Sequence, residues 1–364
     1  MHINHEYYMA QALTLAKKGQ GFTNPNPMVG AVIVKDGNII GEGFHKQYGD
    51  FHAEINAINS CDPNNATLYV TLEPCTHYGK TPPCADAIIK SGIKQVVIGV
   101  TDPNPLVAGK GIEKLQKSGI NTVQKILEEE CRLLNTVFFH YMQTGMPYVV
   151  MKYAMTIDGK ISTFTGASKY ITDTEALHNV HKSRHIYSSI MVGVNTVIAD
   201  DPLLTCRIDG LKNPVRVICD TNLRIPTTSK IVNSAQKVRT VIATACTDEK
   251  RIAALKSQNI EILQVSTKNC DLGIKLDIKD VMKKLGLLGI DSVLLEGGAT
   301  LNWSALESGV VNRVQAYIAP KVFGGEKALS PIGGTGVSLT TEAIHLKSTH
   351  ITKLGKDILI EGNL

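Results

Sequence analysis

Three groups of residues set far apart in the chain do most to restrict its fold: His52-Ala53-Glu54, Pro74-Cys75 and Pro82-Pro83-Cys84. One imidazole and two thiolates form a good donor set for zinc, and three ligands leave the fourth tetrahedral position free for water, as in catalytic sites. Two thiolates cancel the metal's formal charge, yet water bound there is still acidified toward neutral pH. Glu54 stands two residues from the imidazole and outside the donor set. It is placed to take that proton and pass it to a departing nitrogen. A purely structural site is the competing reading. It needs a fourth ligand, for which Cys61 or His77 is available, but structural pairs are usually two to four residues apart. Metal-free core cysteines are a second alternative. Both cysteines, however, directly follow prolines in polar, turn-rich segments, which make poor core.

At 364 residues the chain exceeds what one hydrophobic core usually supports, so two domains are expected. A hydrophobic content of 43% with 20% charged residues belongs to an ordinary globular chain rather than a disordered one. The net charge of +5 is modest and contains no block of like charges; it suits an anionic small molecule and argues against a nucleic-acid surface. No run approaches the roughly 18 apolar residues of a membrane span. Met1-His2-Ile3-Asn4-His5-Glu6 lacks the basic flank and apolar core of a signal peptide. A cytoplasmic protein is therefore expected, without a membrane partner, and with its eight cysteines mostly reduced.

The apolar periodicity alternates between helix and strand. Glu6 to Lys18 reads as a helix ended by Gly19, and two apolar runs around Asp36-Gly37 read as a hairpin. A helix is expected from near His52, a buried strand at Leu68 to Thr71, a helix opened by Cys84, and a strand at Gln95 to Val100. This would put each metal ligand at or near a helix start, where backbone N–H groups favour a thiolate. Leu127 to Tyr141 reads as one amphipathic helix, broken by Thr144-Gly145-Met146-Pro147. The domain boundary belongs there, giving 1–146 and 147–364. In the second half, strands are expected at 148–156, 190–194, 215–220, 241–243, 292–296, 313–318 and 357–360. Thr172-Asp173-Thr174-Glu175 reads as a capping box. Gly297-Gly298 before a helix lets a ligand approach the backbone at a phosphate-friendly helix start. There is no G-x-G-x-x-G fingerprint, so an ordinary Rossmann domain is disfavoured. Both halves are α/β by this alternation.

Zinc nucleobase deaminases pair H-x-E with P-C-x-x-C. The first half of that signature is present, but eight residues separate Cys75 from Cys84. Together with Asn24-Pro25-Asn26-Pro27-Met28-Val29-Gly30, the segment Glu73-Pro74-Cys75-Thr76-His77-Tyr78-Gly79-Lys80-Thr81-Pro82-Pro83-Cys84 resembles the deaminase half of the bifunctional riboflavin-biosynthesis deaminase/reductases, which carry this long insertion. Lys152 to Lys160, Gly193 to Pro202 and Glu296-Gly297-Gly298 are similar to the reductase half of the same family. The resemblance implies a cytidine-deaminase-like three-layer α/β/α domain followed by a dihydrofolate-reductase-like α/β domain. It implies zinc on His52, Cys75 and Cys84, Glu54 as proton shuttle, Asn24 on the pyrimidine and Lys80 near the substrate phosphate. For the second half it implies NADPH against Ala154, Tyr170, Thr196, Asp200, Thr221 and the turn Gly298-Ala299-Thr300. Substrate contacts would come from Ser168, Arg184, Leu204, Arg207 and Glu296, with Lys152 near the ribose phosphate. Met155 and Tyr170 depart from the family, which usually has Ser and commonly Trp there.

The expected activity is hydrolysis of the 2-amino group of 2,5-diamino-6-ribosylamino-4(3H)-pyrimidinone 5′-phosphate, then NADPH-dependent reduction of the ribosyl group to ribityl. The partner is thus a small phosphorylated pyrimidine, with a homo-oligomer expected. Two rivals differ in class. A deaminase of a nucleic-acid base would need a broad positive groove. A zinc-stabilised binding module would have no catalytic rate to lose on chelation.

Overall fold

The computed structural model describes residues 4–76, 82–104, 107–270 and 273–364. The chain forms two compact units, Met1–Gly145 and Met146–Leu364, each with its own apolar core.

The first unit runs α1 (His5–Ala16), β1 (Gly30–Lys35), β2 (Asn38–Phe44), α2 (Ala53–Ile58), β3 (Thr67–Leu72), α3 (Cys84–Lys90), β4 (Gln95–Val100), α4 (Lys110–Lys117), β5 (Asn121–Gln124), α5 (Glu128–Leu134) and α6 (Thr136–Thr144). Helix α1 starts where the Asn4 side chain accepts the Tyr7 N–H, and it buries Met9, Ala12, Leu13 and Ala16 at helical spacing. The β1–β2 hairpin turns on Asp36 and Gly37, both with left-handed backbone, as a two-residue hairpin requires. Among the described residues these strands form a five-stranded sheet, β2-β1-β3-β4-β5, with β3, β4 and β5 parallel. Helices α1 and α5 touch one another, while α2, α3 and α4 touch in succession. Strands β1, β3 and β4 are accordingly buried along nearly their whole length, as strands covered on both faces are.

The single helix expected over 127–141 is instead two. Asn135 interrupts it with φ −114° and ψ 27°, and its buried side chain brackets Met28, accepting the Met28 N–H at 2.8 Å and donating to the Met28 carbonyl at 2.9 Å. A long-range amide pair outweighs local helical periodicity there. It also ties α5 and α6 to the segment before β1.

The second unit runs β6 (Tyr148–Thr156), α7 (Thr174–Ile186), β7 (Ser189–Gly193), α8 (Val194–Asp200), β8 (Val215–Cys219), α9 (Lys230–Asn233), β9 (Thr240–Thr244), α10 (Glu249–Lys256), β10 (Ile260–Gln264), β11 (Thr267–Cys270), β12 (Gly273–Leu276), α11 (Ile278–Leu287), β13 (Ser292–Gly297), α12 (Ala299–Glu307), β14 (Val311–Ala319), β15 (Lys347–Leu354) and β16 (Asp357–Asn363). Among the described residues its main sheet has nine strands, ordered β10-β9-β8-β7-β13-β6-β14-β16-β15. It is parallel from β10 to β14, and β16 and β15 close one edge antiparallel. The continuous apolar runs of β7, β9 and β13 are those of central strands covered on both faces. The capping box expected at 172–175 does not form. Asp173 is the N-cap but makes no side-chain cap bond; its own N–H goes to Asp357 Oδ2 at 2.7 Å, which docks the helix start on β16. Arg216 on β8 is fully buried, with its guanidinium spent on hydroxyls and carbonyls of Thr240, Ser234, Leu203, Ile231 and Val238. Burial pushes its pKa down to about 10. No helix among the described residues is long and apolar enough to cross a membrane.

Candidate active sites

In the first unit the three donors are supplied by three different local structures. His52 is the N-cap of α2, with extended backbone, so its imidazole stands clear of the helix. Cys84 is the first residue of α3. Cys75 lies in the irregular segment after β3, because Pro74 and a buried Glu73 end the strand, and it is near a helix start in space: its carbonyl accepts the Ala85 N–H of α3 at 3.2 Å. Glu73 fixes that segment. Its carboxylate accepts the backbone N–H groups of Asp102, Gly109, Gly111 and Ile112 at 2.9–3.3 Å.

The donor atoms of His52, Cys75 and Cys84 all lie within 4.8 Å of one another. His52 Nδ1 is 3.2 Å from Cys84 Sγ and 3.6 Å from Cys75 Sγ, and the Cys84 N–H points at Cys75 Sγ at 3.4 Å. The bond from the Cys84 thiol, aided by His52, pulls Cys75 well below the ordinary thiol value, which favours its thiolate. Hydrogen bonding to Cys75 raises His52 to about 8. Three soft donors sharing protons around one point are what a zinc ion would bridge, and the set fits such an ion with one position left open. Glu54, in the first turn of α2, is 3% exposed, and burial raises its pKa. A carboxyl that is not strongly committed to its charged form is suited to carrying a proton both ways.

His52, Cys75 and Glu54 open on a cavity of about 380 Å³ whose wall also includes Asn26, His45 and Asp102. His45 Nδ1 faces the Phe51 carbonyl at 3.1 Å, which makes it the protonated nitrogen and leaves Nε2 to accept from Asn26 Nδ2 at 3.2 Å. Burial holds His45 below the ordinary histidine value, in keeping with a neutral ring. Burial also pushes Asp102 up to about 6. Pro25, Asn26 and Pro27 line the cavity, but Asn24 does not. Lys80 lies outside the described residues.

The second unit holds a cavity of about 670 Å³. Strand β6 contributes Lys152 and Ala154, α8 contributes Thr196 and Asp200, and the turn from β13 to α12 contributes Glu296, Gly298, Ala299 and Thr300. Ser168, Tyr170 and Thr221 also line it. The turn needs glycine at both positions: Gly297 has φ 50° and a Cβ there would meet Asn302 Oδ1 at 2.4 Å, and Gly298 has φ 97°. Glu296 binds Arg184 through two bonds, Nε–Oε1 at 2.7 Å and Nη2–Oε2 at 2.9 Å, with Lys152 Nζ 3.9 Å from Oε2. Burial alone would raise the Glu296 pKa; Arg184 and Lys152 outweigh it and hold it at about 2. Burial, with Arg184 beside it, lowers Lys152, while Glu296 opposes this. Ser168 Oγ donates to Asp200 Oδ1 at 3.2 Å. Arg184, Leu204 and Arg207 are not in the cavity wall. Arg184 reaches it through Glu296, Leu204 is buried with φ 52°, and Arg207 is exposed on the segment that follows. A Gly-Gly turn at the start of α12, lining a cavity of about 670 Å³, suits a dinucleotide diphosphate.

Sequence reasoning passed over Glu73, His45, Asp102 and Asn104. Asp102-Pro103-Asn104-Pro105 nearly repeats Asn24-Pro25-Asn26-Pro27, and that echo was the available signal, since both segments reach the same cavity.

Residues 147–360 match the family model of the RibD C-terminal domain, and residues 2–100 match that of the cytidine and deoxycytidylate deaminase zinc-binding region. The chain is 51% identical to the riboflavin biosynthesis protein RibD of Actinobacillus pleuropneumoniae, covering 97% of this chain and 94% of that protein. A crystal structure of a diaminohydroxyphosphoribosylaminopyrimidine deaminase/5-amino-6-(5-phosphoribosylamino)uracil reductase from Thermotoga maritima superposes with a TM-score of 0.86 at 38% identity, over 99% of this chain and 98% of that one. Acinetobacter baumannii RibD gives a TM-score of 0.89 at 35% identity, over 99% of both chains.

Proposed function

The chain belongs to the RibD family of riboflavin-biosynthesis enzymes, with a cytidine-deaminase-like first domain and a RibD reductase domain, and from that premise we propose how its residues divide the deaminase and reductase activities of the family. The substrate of the first site is 2,5-diamino-6-ribosylamino-4(3H)-pyrimidinone 5′-phosphate, and that of the second is the deaminated product, 5-amino-6-(5-phosphoribosylamino)uracil. The deaminase domain is assigned to 1–146 and the reductase domain to 147–364, one residue from the division into Met1–Gly145 and Met146–Leu364. The enzyme acts on small phosphorylated pyrimidines, without nucleic acid, as a cytoplasmic homo-oligomer; the modest net charge of +5 supports the first part of that reading.

The observation that carries the deaminase assignment is the clustering of the His52, Cys75 and Cys84 donor atoms at the wall of a cavity that His52, Cys75 and the buried Glu54 line. Zinc, held by His52, Cys75 and Cys84, would supply acidification of a water molecule. Glu54 takes the proton lost by that water and returns it to the amine at C2, so that ammonia leaves and a carbonyl replaces it. Asn26 and His45, in the cavity wall, would border the pyrimidine; Asn24, next to that wall in the chain, and Lys80 are the further contacts that the family resemblance implies. The neutral His45 ring offers hydrogen bonding without charge.

In the second site NADPH supplies a hydride. Ala154, Tyr170, Thr196, Asp200, Thr221 and the turn Gly298-Ala299-Thr300 bind the dinucleotide. With the glycosylamine ring open, the C=N bond at C1′ is where the hydride that NADPH would supply is needed, and the nitrogen needs one proton. Lys152, buried and lining the cavity, is the acid that donates it, and Glu296 with Arg184 holds it in place. Ser168 would hold the substrate from the cavity wall, and Leu204 and Arg207, which lie outside that wall, would act from the segment after α8, with Arg207 on the phosphate.

The decisive experiment follows ammonia and NADPH oxidation separately on the diaminopyrimidine phosphate. Glu54→Gln is expected to lower ammonia release by about 10²-fold or more, with zinc content intact and NADPH oxidation on the deaminated substrate unchanged. Ammonia release at the wild-type rate would falsify the role given to Glu54.

A further inference from the structure

The segment from Asp201 to Pro214 has no helix or strand of its own, yet on the reading above it carries Leu204 and Arg207. Its shape is therefore imposed from outside, and helix α7 supplies most of the bonds. The Arg207 N–H points at His181 Nδ1 at 3.3 Å, and the Lys212 N–H at His185 Nδ1 at 3.0 Å. Between these two histidines, one helical turn apart, Arg184 Nη1 donates to the Thr205 carbonyl at 3.0 Å. The Cys206 thiol donates to the His181 carbonyl at 3.2 Å. From the other side, Arg216 Nη1 reaches the Leu203 carbonyl at 3.3 Å. A backbone N–H can donate to an imidazole nitrogen only while that nitrogen is unprotonated.

We propose that His181 is a positioning residue of the reductase site: through Nδ1 it fixes the backbone at Arg207 and so presents that guanidinium to the phosphate of the substrate. This rests on the reading that Arg207 holds the substrate. The groups facing the imidazole are Arg184 on its own helix, Arg207 and the Thr205 carbonyl on the segment, and Glu296 on β13. Burial and the two guanidinium groups disfavour a charged ring more than Glu296 and the carbonyl favour it, so the acceptor is present at neutral pH. Acid below the ordinary histidine value of 6.5 then removes it. The bond is made in the free enzyme, so its loss in acid weakens the capture of substrate and appears in KM.

The test uses the full-length holoenzyme and 5-amino-6-(5-phosphoribosylamino)uracil. His181→Leu is expected to raise KM, and the calorimetric Kd of the substrate without cofactor, by about three- to tenfold, the worth of one hydrogen bond. The kcat and the Kd of NADPH stay within about twofold. His181→Asn places an amide oxygen where Nδ1 stood, so it restores KM and flattens the acid rise in KM that the wild type shows below pH 6.5. The comparison of wild type with His181→Asn keeps the proposal open to refutation should His181→Leu misfold. An unchanged KM in a folded His181→Leu enzyme, or the same acid rise in His181→Asn as in wild type, overturns it. Arg207→Ala separates the two levels of the argument. If it raises KM while His181→Leu does not, the positioning role alone fails. If it leaves KM unchanged, the substrate reading fails and the proposal with it.

Discussion

Two largely inaccessible glutamates show how one side chain can order a site, by seating backbone or by pairing with cations. Glu73 spends its carboxylate on four backbone N–H groups and thereby seats the segment that bears Cys75. Glu73→Gln turns an amide NH₂ toward donors, and the expected cost is about 2–3 kcal/mol, read by urea unfolding of the zinc-loaded protein, together with weaker zinc retention against a competing chelator. Unaltered zinc retention would mean that Cys75 is seated by something else. Glu296 lies at the cavity wall between Arg184 and Lys152. Glu296→Gln leaves two buried cations uncompensated, at a cost of about 3–5 kcal/mol near neutral pH. The sign of the pH dependence follows from its depressed pKa: the stabilisation is fully present above the unfolded value of 4.5 and is lost as pH falls through about 2. The stability gap between wild type and variant should therefore narrow in that window. A gap that widens with acid would refute the ion-pair account. At this scale the chemistry was legible: the identities of His52, Glu54, Cys75 and Cys84 declare a donor set and a base. The long-range partners of Glu73 and His181 were not, since the bonded N–H groups lie 26 to 39 residues away along the chain.

At the scale of elements, close approach decides where the donors sit. Strand β2 and helix α2 touch at Gly43, where a Cβ would meet the Ala53 carbonyl oxygen at 2.2 Å and the Ala57 nitrogen at 2.4 Å. Both are backbone atoms and cannot swing aside. Gly43→Ala must push away the start of α2, which carries His52 and Glu54. The expected outcome is loss of zinc from the purified protein and loss of ammonia release, with NADPH oxidation on deaminated substrate retained; metal analysis and the two separate assays check it. A fully metallated variant would show that α2 has freedom the contacts deny it. Helix periodicity predicted α1, α2 and α3 well because their buried faces follow the helical repeat. It failed at Asn135, where the backbone of Met28 takes the side chain and splits α5 from α6. The helix after Asp173 forms as expected, but its start is docked by Asp357 far along the chain rather than by the local capping box.

For the whole molecule, each unit keeps its own apolar core. Zinc binds the folded first unit through groups that an unfolded chain does not bring together, so its binding free energy adds to that unit's stability alone. Chelation should lower the melting temperature of one calorimetric transition and abolish ammonia release, leaving a second transition and NADPH oxidation in place. A single transition that moves as one would contradict this division. The α/β alternation, the place of the break near Pro147 and the family were available from the sequence, because strand and helix periods, proline and glycine punctuation, and the long Cys75-to-Cys84 insertion are local properties of the chain. What only the tertiary structure decided was the sheet order, with β13 inserted between β6 and β7, and with it the meeting of Lys152, Arg184 and Glu296. Strand pairing brings together residues more than a hundred positions apart, and a local pattern carries no record of which strand will be its neighbour.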